Sequence, residues 1–325
     1  MFLKILGRIL TYFLILTLGV TAVWLIGDNY QKGYEQVFSE NKIFQADLSQ
    51  AQPGTEDPPA DQPAGTQDFK PLRDWTCQEP DISALSAISI EEGQVSGDKI
   101  LFNKDESRRL PMASLTKLMT ALIVLENYNL DEITTIKQDA VSQGGPQGKL
   151  NIGDQLSVRN LLYIMLIESS NEAAYALAEM KGVNNFIGLM NDRGKNLGLL
   201  NTNFADVDGL SPNNYSTADD LAKFAQYLLE NDRMIWQILS IDKYDLYTPQ
   251  GKFYRELINT NQLLGKIPDI IGGKTGLTEQ AKGCLLLILK NPKDQNNIIY
   301  VVLGSDDRFG EMQQLINWVN KAYTW

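Results

Sequence analysis

Pro111-Met-Ala-Ser-Leu-Thr-Lys-Leu-Met-Thr-Ala-Leu-Ile-Val-Leu125 is the stretch around which the chain is organised. Ser114 and Lys117 stand three residues apart, a spacing that puts both side chains on one face of a helix. After Lys117 the residues are apolar almost all round, which predicts a buried helix and not an amphipathic one. A lysine at the start of a buried helix is costly unless it has a partner or a task. Serine needs a base to become a nucleophile. The chain has no histidine, which excludes a Ser-His-Asp triad and leaves a neutral lysine as the base at hand. Spacing alone is weak evidence, because Ser-x-x-Lys also occurs at Ser39/Lys42, Ser96/Lys99 and Ser240/Lys243. The competing reading of Ser114/Lys117 is a surface serine beside a snorkelling lysine.

Working outward, the 325 residues suffice for one large domain with extras, or for two domains. A net charge of -11 argues against a nucleic-acid partner. Ile9 to Gly27 is uncharged and mostly apolar, with Lys4 and Arg8 before it and Asp28 after it. This length suits a transmembrane anchor, preferred over a cleaved signal because the apolar run is long and no Ala-x-Ala follows it. Either way the flanking charges place Asn29 onward outside the cytoplasm. Six of the 12 prolines fall between Pro53 and Pro80, which marks a linker. The expected division is an anchor over 1–28, a stalk and Pro-rich linker over 29–80, and a folded domain over 81–325. Cys77 and Cys284 do not suggest a metal site, and an exported location permits but does not require a disulfide between them.

Within the folded part, Ala84–Ile90 and Lys99–Asn103 read as a hairpin. Helices are expected over Leu156–Ile167 with Ser157 as N-cap, over Glu172–Glu179 and over Val183–Leu197. A capping box at Ser216-Thr-Ala-Asp219 should open another, ending near Leu229. Strands are expected at Ile270–Thr275, Cys284–Leu289 and Asn297–Leu303, then a helix from Arg308 to Tyr323. Strands at both ends around a block of helices predict an α+β fold, an antiparallel sheet whose first and last strands pair.

Two more stretches turn a weak motif into a constellation. Ser169-Ser170-Asn171 is a Ser-x-Asn at a break between helices, a pattern that recurs at Ser39-Glu40-Asn41 and Ser211-Pro212-Asn213. Lys274-Thr275-Gly276 occurs once, after two glycines that let a ligand approach the strand backbone. Ser-x-x-Lys, Ser-x-Asn and Lys-Thr-Gly in this order form the signature of penicillin-interacting serine enzymes.

The chain resembles the low-molecular-mass serine D-alanyl-D-alanine carboxypeptidases, a branch of the penicillin-binding proteins with a β-lactamase/transpeptidase-like fold. Beyond the motifs, the likeness rests on Asn103 to Thr120, Leu197 to Phe204, Asp208-Gly-Leu210, Tyr215 to Ala218, Asn259 to Gly265 and Gly272 to Thr278. It departs in having Ser170 in the middle of the second motif and Leu277 where many relatives carry histidine. The resemblance implies a peptidoglycan stem peptide ending in D-Ala-D-Ala as substrate, β-lactams as inhibitors and no metal or organic cofactor. It implies Ser114 as nucleophile and Lys117 as its base, held neutral by burial and by the charge of Lys274. Ser169 would relay a proton to the leaving amine, and Asn171 would bind Lys117 and the substrate amide. Lys274 and Thr275 would bind the terminal carboxylate, beside Gly276, and the backbone N–H groups of Ser114 and Leu277 would form the oxyanion hole. A β-lactamase, a sensor acylated once and an endopeptidase remain alternatives. Against the first, Ala205 to Asn214 contains no glutamate to direct water, leaving Asp206 and Asp208 as shorter candidates. Glu256-Leu-Ile-Asn259 resembles the glutamate motif only superficially.

Overall fold

Long, unbroken apolar strands dominate the second half of the chain because the sheet they form is buried on both faces. In the computed structural model, which describes residues 71–93, 98–145, 149–291, 293 and 296–325, five strands make this sheet. They are β1 (Ser86–Glu91), β2 (Lys99–Lys104), β3 (Ile270–Thr278), β4 (Lys282–Lys290) and β5 (Asn297–Ser305). Their order is β3-β4-β5-β1-β2, and every pairing is antiparallel. The first strand therefore pairs with the last, as the sequence pattern predicts. Side chains alternate across a strand. On β5, Ile299, Val301 and Leu303 enter the core under the helices. Their neighbours Ile298, Tyr300 and Val302 enter a second core on the opposite face.

Six helices of seven or more residues belong to the first core: α1 (Lys117–Asn127), α2 (Val158–Ile167), α3 (Asn171–Glu179), α4 (Val183–Asn196), α5 (Ala218–Asn231) and α6 (Arg233–Leu239), with a single turn over Gln138–Val141 added to them. The last helix, α7 (Arg308–Ala322), covers the other face. Helix α1 is buried from Lys117 through Val124, and each of its fully buried leucine side chains is worth about 1.5–3 kcal/mol. Ser157 caps α2 as expected, accepting from the N–H of Asn160 at 3.1 Å. The cap of α5 is Thr217, one residue later than the expected capping box.

Three differences from the sequence reading matter. Ser114 lies in a 3-10 turn, Ala113–Thr116, ahead of α1. A hairpin of Lys243–Tyr247 with Phe253–Ile258, unforeseen, stands apart from the main sheet. Packing also begins before Asp81: Leu72–Arg73 pairs with Tyr323–Thr324, and Trp318 Nε1 donates to the Gln78 carbonyl at 2.7 Å. Both Cys77 and Cys284 are free thiols. The expected anchor over Ile9–Gly27, and the stalk and linker as far as residue 70, lie outside the described residues. Among the described residues no helix is long and apolar enough to cross a membrane.

Candidate active site

Residues from three elements meet where the 3-10 turn abuts the edge strand β3. The turn is held by backbone and side chain together: Met112 N–H donates to the Asn214 carbonyl at 3.1 Å, and the Thr116 hydroxyl donates to the Ala113 carbonyl at 2.8 Å. Ala113 adopts φ +48°, a left-handed conformation rare for a residue with a Cβ. In a 3-10 turn residues i and i+3 eclipse, so the tighter geometry still aligns Ser114 with Lys117. Lys117 Nζ lies 2.9 Å from Ser114 Oγ.

Lys117 is fully buried. Its nitrogen donates to Asn171 Oδ1 at 2.7 Å and to the Asp208 carbonyl at 2.6 Å. The Asn171 amide is oriented by its own donation to the Gly144 carbonyl at 2.5 Å, which turns Oδ1 toward the lysine. Two neighbours of Nζ are thus pure acceptors and the third is a hydroxyl. An ammonium donates to all three; on losing a proton the amine keeps two N–H groups for the two acceptors and can turn its lone pair to the Ser114 proton.

Burial pushes Lys117 down from the usual lysine range to about 8, while Asp208 and Asp206 pull it up. Desolvation is therefore the main cause, and the neighbouring carboxylates oppose it. Burial likewise holds Lys274 well below its ordinary value, and its repulsion with Lys117, then Arg308, adds to the effect.

The second motif sits in the break between α2 and α3, where Ser170 caps α3 by accepting from Ala173 N–H at 3.1 Å. Ser169 takes φ +62°, which costs on the order of 1–3 kcal/mol and persists only where the surroundings impose it. Lys274 Nζ meets its hydroxyl at 2.7 Å and also donates to the Thr275 carbonyl at 2.9 Å. Thr275 is buried, and its hydroxyl lies 2.6 Å from that of Thr260. A Cβ on Gly276 would approach Met112 O and Ser114 N to 3.1 Å, so glycine lets β3 run against the nucleophile turn. Leu277, the next residue, is largely exposed. All eight side chains or backbones singled out from the sequence thus belong to one neighbourhood.

Sequence reasoning singled out the loop 205–214 only as a place for a water-directing carboxylate and missed that it supports this neighbourhood. Besides the Asp208 carbonyl on Lys117, the Val207 carbonyl accepts from the Thr120 hydroxyl at 2.6 Å. Gly209 has φ +89°, and a Cβ there would come within 2.0 Å of the Ala113 carbonyl. The Asp206 carboxylate is spent inside the loop, accepting from the N–H groups of Asp208, Gly209 and Ser211 and from Asn214 Nδ2. Glu256 is on the hairpin and faces Lys243 at 4.0 Å. Hydrogen bonds to backbone carbonyls leave no signature in a sequence; the glycine after Asp208 was the one available signal.

A sequence profile described as D-alanyl-D-alanine carboxypeptidase matches residues 74–307. A D-alanyl-D-alanine carboxypeptidase of Bacillus subtilis is 33% identical over 74% of this chain, and the match spans 63% of that relative's length. A D-alanyl-D-alanine endopeptidase of Pseudomonas aeruginosa is 32% identical over 68% of this chain and 73% of its own. Among solved structures, a DD-transpeptidase of Streptomyces superposes with a TM-score of 0.68 at 32% identity, covering 75% of this chain and 99% of that one.

Proposed function

The chain belongs to the D-alanyl-D-alanine carboxypeptidase family, and from that premise we propose that it is a serine-type D-Ala-D-Ala carboxypeptidase acting on peptidoglycan stem peptides. The observation that carries this reading is the buried Lys117 within 2.9 Å of Ser114 Oγ, its two N–H groups already engaged. Ser114 Oγ attacks the penultimate carbonyl as its proton passes to Lys117. The backbone N–H groups of Ser114 and Leu277 receive the oxyanion. Ser169, linked to Lys274, relays a proton to the departing D-Ala amine as the C–N bond breaks, giving up its own and taking in its place the one Lys117 received. Water then cleaves the ester, releasing the shortened peptide and restoring Ser114. Lys274 and the Thr275 hydroxyl bind the terminal carboxylate, with Arg308 adding positive charge on that side.

The carboxylate pocket favours a substrate with a free C-terminus over the internal bond an endopeptidase must reach. Hydrolysis of β-lactams as the main task is disfavoured, because Asp206 is committed to its own loop. We extend the reading to the whole chain: anchor over 1–28, stalk and linker beyond it, and the catalytic domain on the outer side of the cell membrane. Incubation with a peptide ending in D-Ala-D-Ala should release many equivalents of D-Ala per chain. Labelled penicillin should attach at Ser114, and Ser114→Ala protein should take up none. Label on any other residue would sink the mechanism.

A further inference from the structure

The loop 205–214 touches the site at several points, yet the mechanism above uses only its Asp208 carbonyl. That carbonyl lies 2.6 Å from Lys117 Nζ. Bond lengths alone then keep the carboxyl of the same residue within about 8 Å of the amine. Asp208 is 3% exposed, and Oδ1 accepts from Leu210 N–H at 3.0 Å. The loop cannot swing this carboxyl away: Asn214 and Val207 hold it to the nucleophile turn and to α1, and Gly209 packs on Ala113. A buried acid thus stands fixed beside a buried base, with no salt-bridging arginine among the described residues and no substrate contact assigned to it.

We infer that Asp208 is a positioning residue for the base: its buried carboxylate sets how tightly Lys117 holds its proton, and so the pH at which Ser114 becomes nucleophilic. This rests on the proposed role of Lys117. The charged groups acting on the pair are few. Asp206 adds negative charge from the same loop, and Lys274 adds positive charge from β3. Asn171, on α3, contributes an uncharged acceptor. Burial raises Asp208 to about 6 and lowers Lys117 to about 8. Between these values both groups are charged. Removing the negative charge destabilises the ammonium, so Lys117 loses its proton at lower pH. The resulting amine is more abundant near neutrality but is a weaker base, so it accelerates acylation less once fully deprotonated.

The test is the rate at which labelled penicillin acylates the full chain, unaltered and as Asp208→Asn, from about pH 5.5 to 9.5 across both ionisations. Asparagine keeps the acceptor for Leu210 and removes only the charge. The acid limb should move down by about one pH unit. The two profiles should cross, with the variant faster at low pH and slower on the plateau. A structural defect slows labelling at every pH and leaves the midpoint in place; that outcome overturns the inference. A second measurement needs neither the variant nor turnover. The Lys117 Cε resonance of the unaltered chain, assigned by its loss in Lys117→Arg, should show two inflections, from Asp208 and from Lys117 itself. A single inflection overturns the inference. Failure of unaltered protein to label at Ser114 counts against the proposed enzyme alone, because the resonance still reports on the pair.

Discussion

Lys117 and Lys274 are both fully buried, yet the proposed mechanism asks opposite things of them. In it Lys117 gives up its charge to act as a base, and Lys274 keeps enough charge to meet a carboxylate. The environment of each suits the proposal: Lys117 is ringed by two acceptors and the Ser114 hydroxyl, whereas a substrate carboxylate would stabilise the cation at Lys274. Arginine stays protonated in a protein, so Lys117→Arg removes the base while retaining charge. Acylation by penicillin should fall about a hundred- to ten-thousandfold. Lys274→Arg retains a cation able to pair with a carboxylate and should lose far less. Equal losses, measured as labelling rates on folded protein, would contradict the division of roles. The sign of the pH dependence follows from burial. Burial lowers Lys117 to about 8, and in the proposed mechanism its neutral form is the active one, so labelling should rise as pH climbs through that value.

At the level of elements, the site is a junction in which the backbone does much of the holding. Gly209→Ala tests this. The added Cβ meets the Ala113 carbonyl at 2.0 Å, and φ +89° is unfavourable for alanine, so the loop or the nucleophile turn must shift. A displacement of about 1 Å is expected to cost about a hundredfold in acylation. Labelling and thermal melting should both fall; an unchanged labelling rate would mean the loop does not position Ser114. The same junction separates what was legible in the sequence from what was not. Strands β4 and β5 announce themselves as apolar runs, because both faces of the sheet are buried, whereas β3 was marked by its glycines and Lys-Thr-Gly. Ser157 was readable as a cap because it precedes an apolar run. Lys243-Tyr-Asp-Leu-Tyr247 carries only one buried side chain, Leu246, so its hairpin gave no comparable pattern. The three motifs were legible as chemistry, but the 3-10 turn at Ser114 and the carbonyl of Asp208 depend on how distant segments meet.

On the scale of the whole molecule, the segment leading into the enzyme domain is part of its packing. Leu72–Arg73 pairs with the last strand, Asp74 N–H donates to the Ala322 carbonyl at 2.7 Å, and Gln78 accepts from buried Trp318. Arg73 also lies over Trp318, 5.2 Å from the ring centroid. These contacts close the face of the sheet remote from Ser114. A chain beginning at residue 81 loses them, and one beginning at residue 71 keeps them. The loss of a partnered indole N–H and of covered aromatic surface should amount to about 2 kcal/mol. For a domain of this size that is a fall of about 4–8 °C in Tm. The remote position predicts that both shortened chains still acylate at Ser114, at similar rates below their melting temperatures. Equal Tm values would mean that residues 71–80 lie on the domain without supporting it. The full-length chain differs from both if Ile9–Gly27 is a span. It should then sediment with membranes and resist a high-salt wash, since apolar burial and not charge would hold it. Release by salt, or a mature N-terminus beyond residue 27, would remove the anchor from the proposal and leave the enzyme domain unaffected.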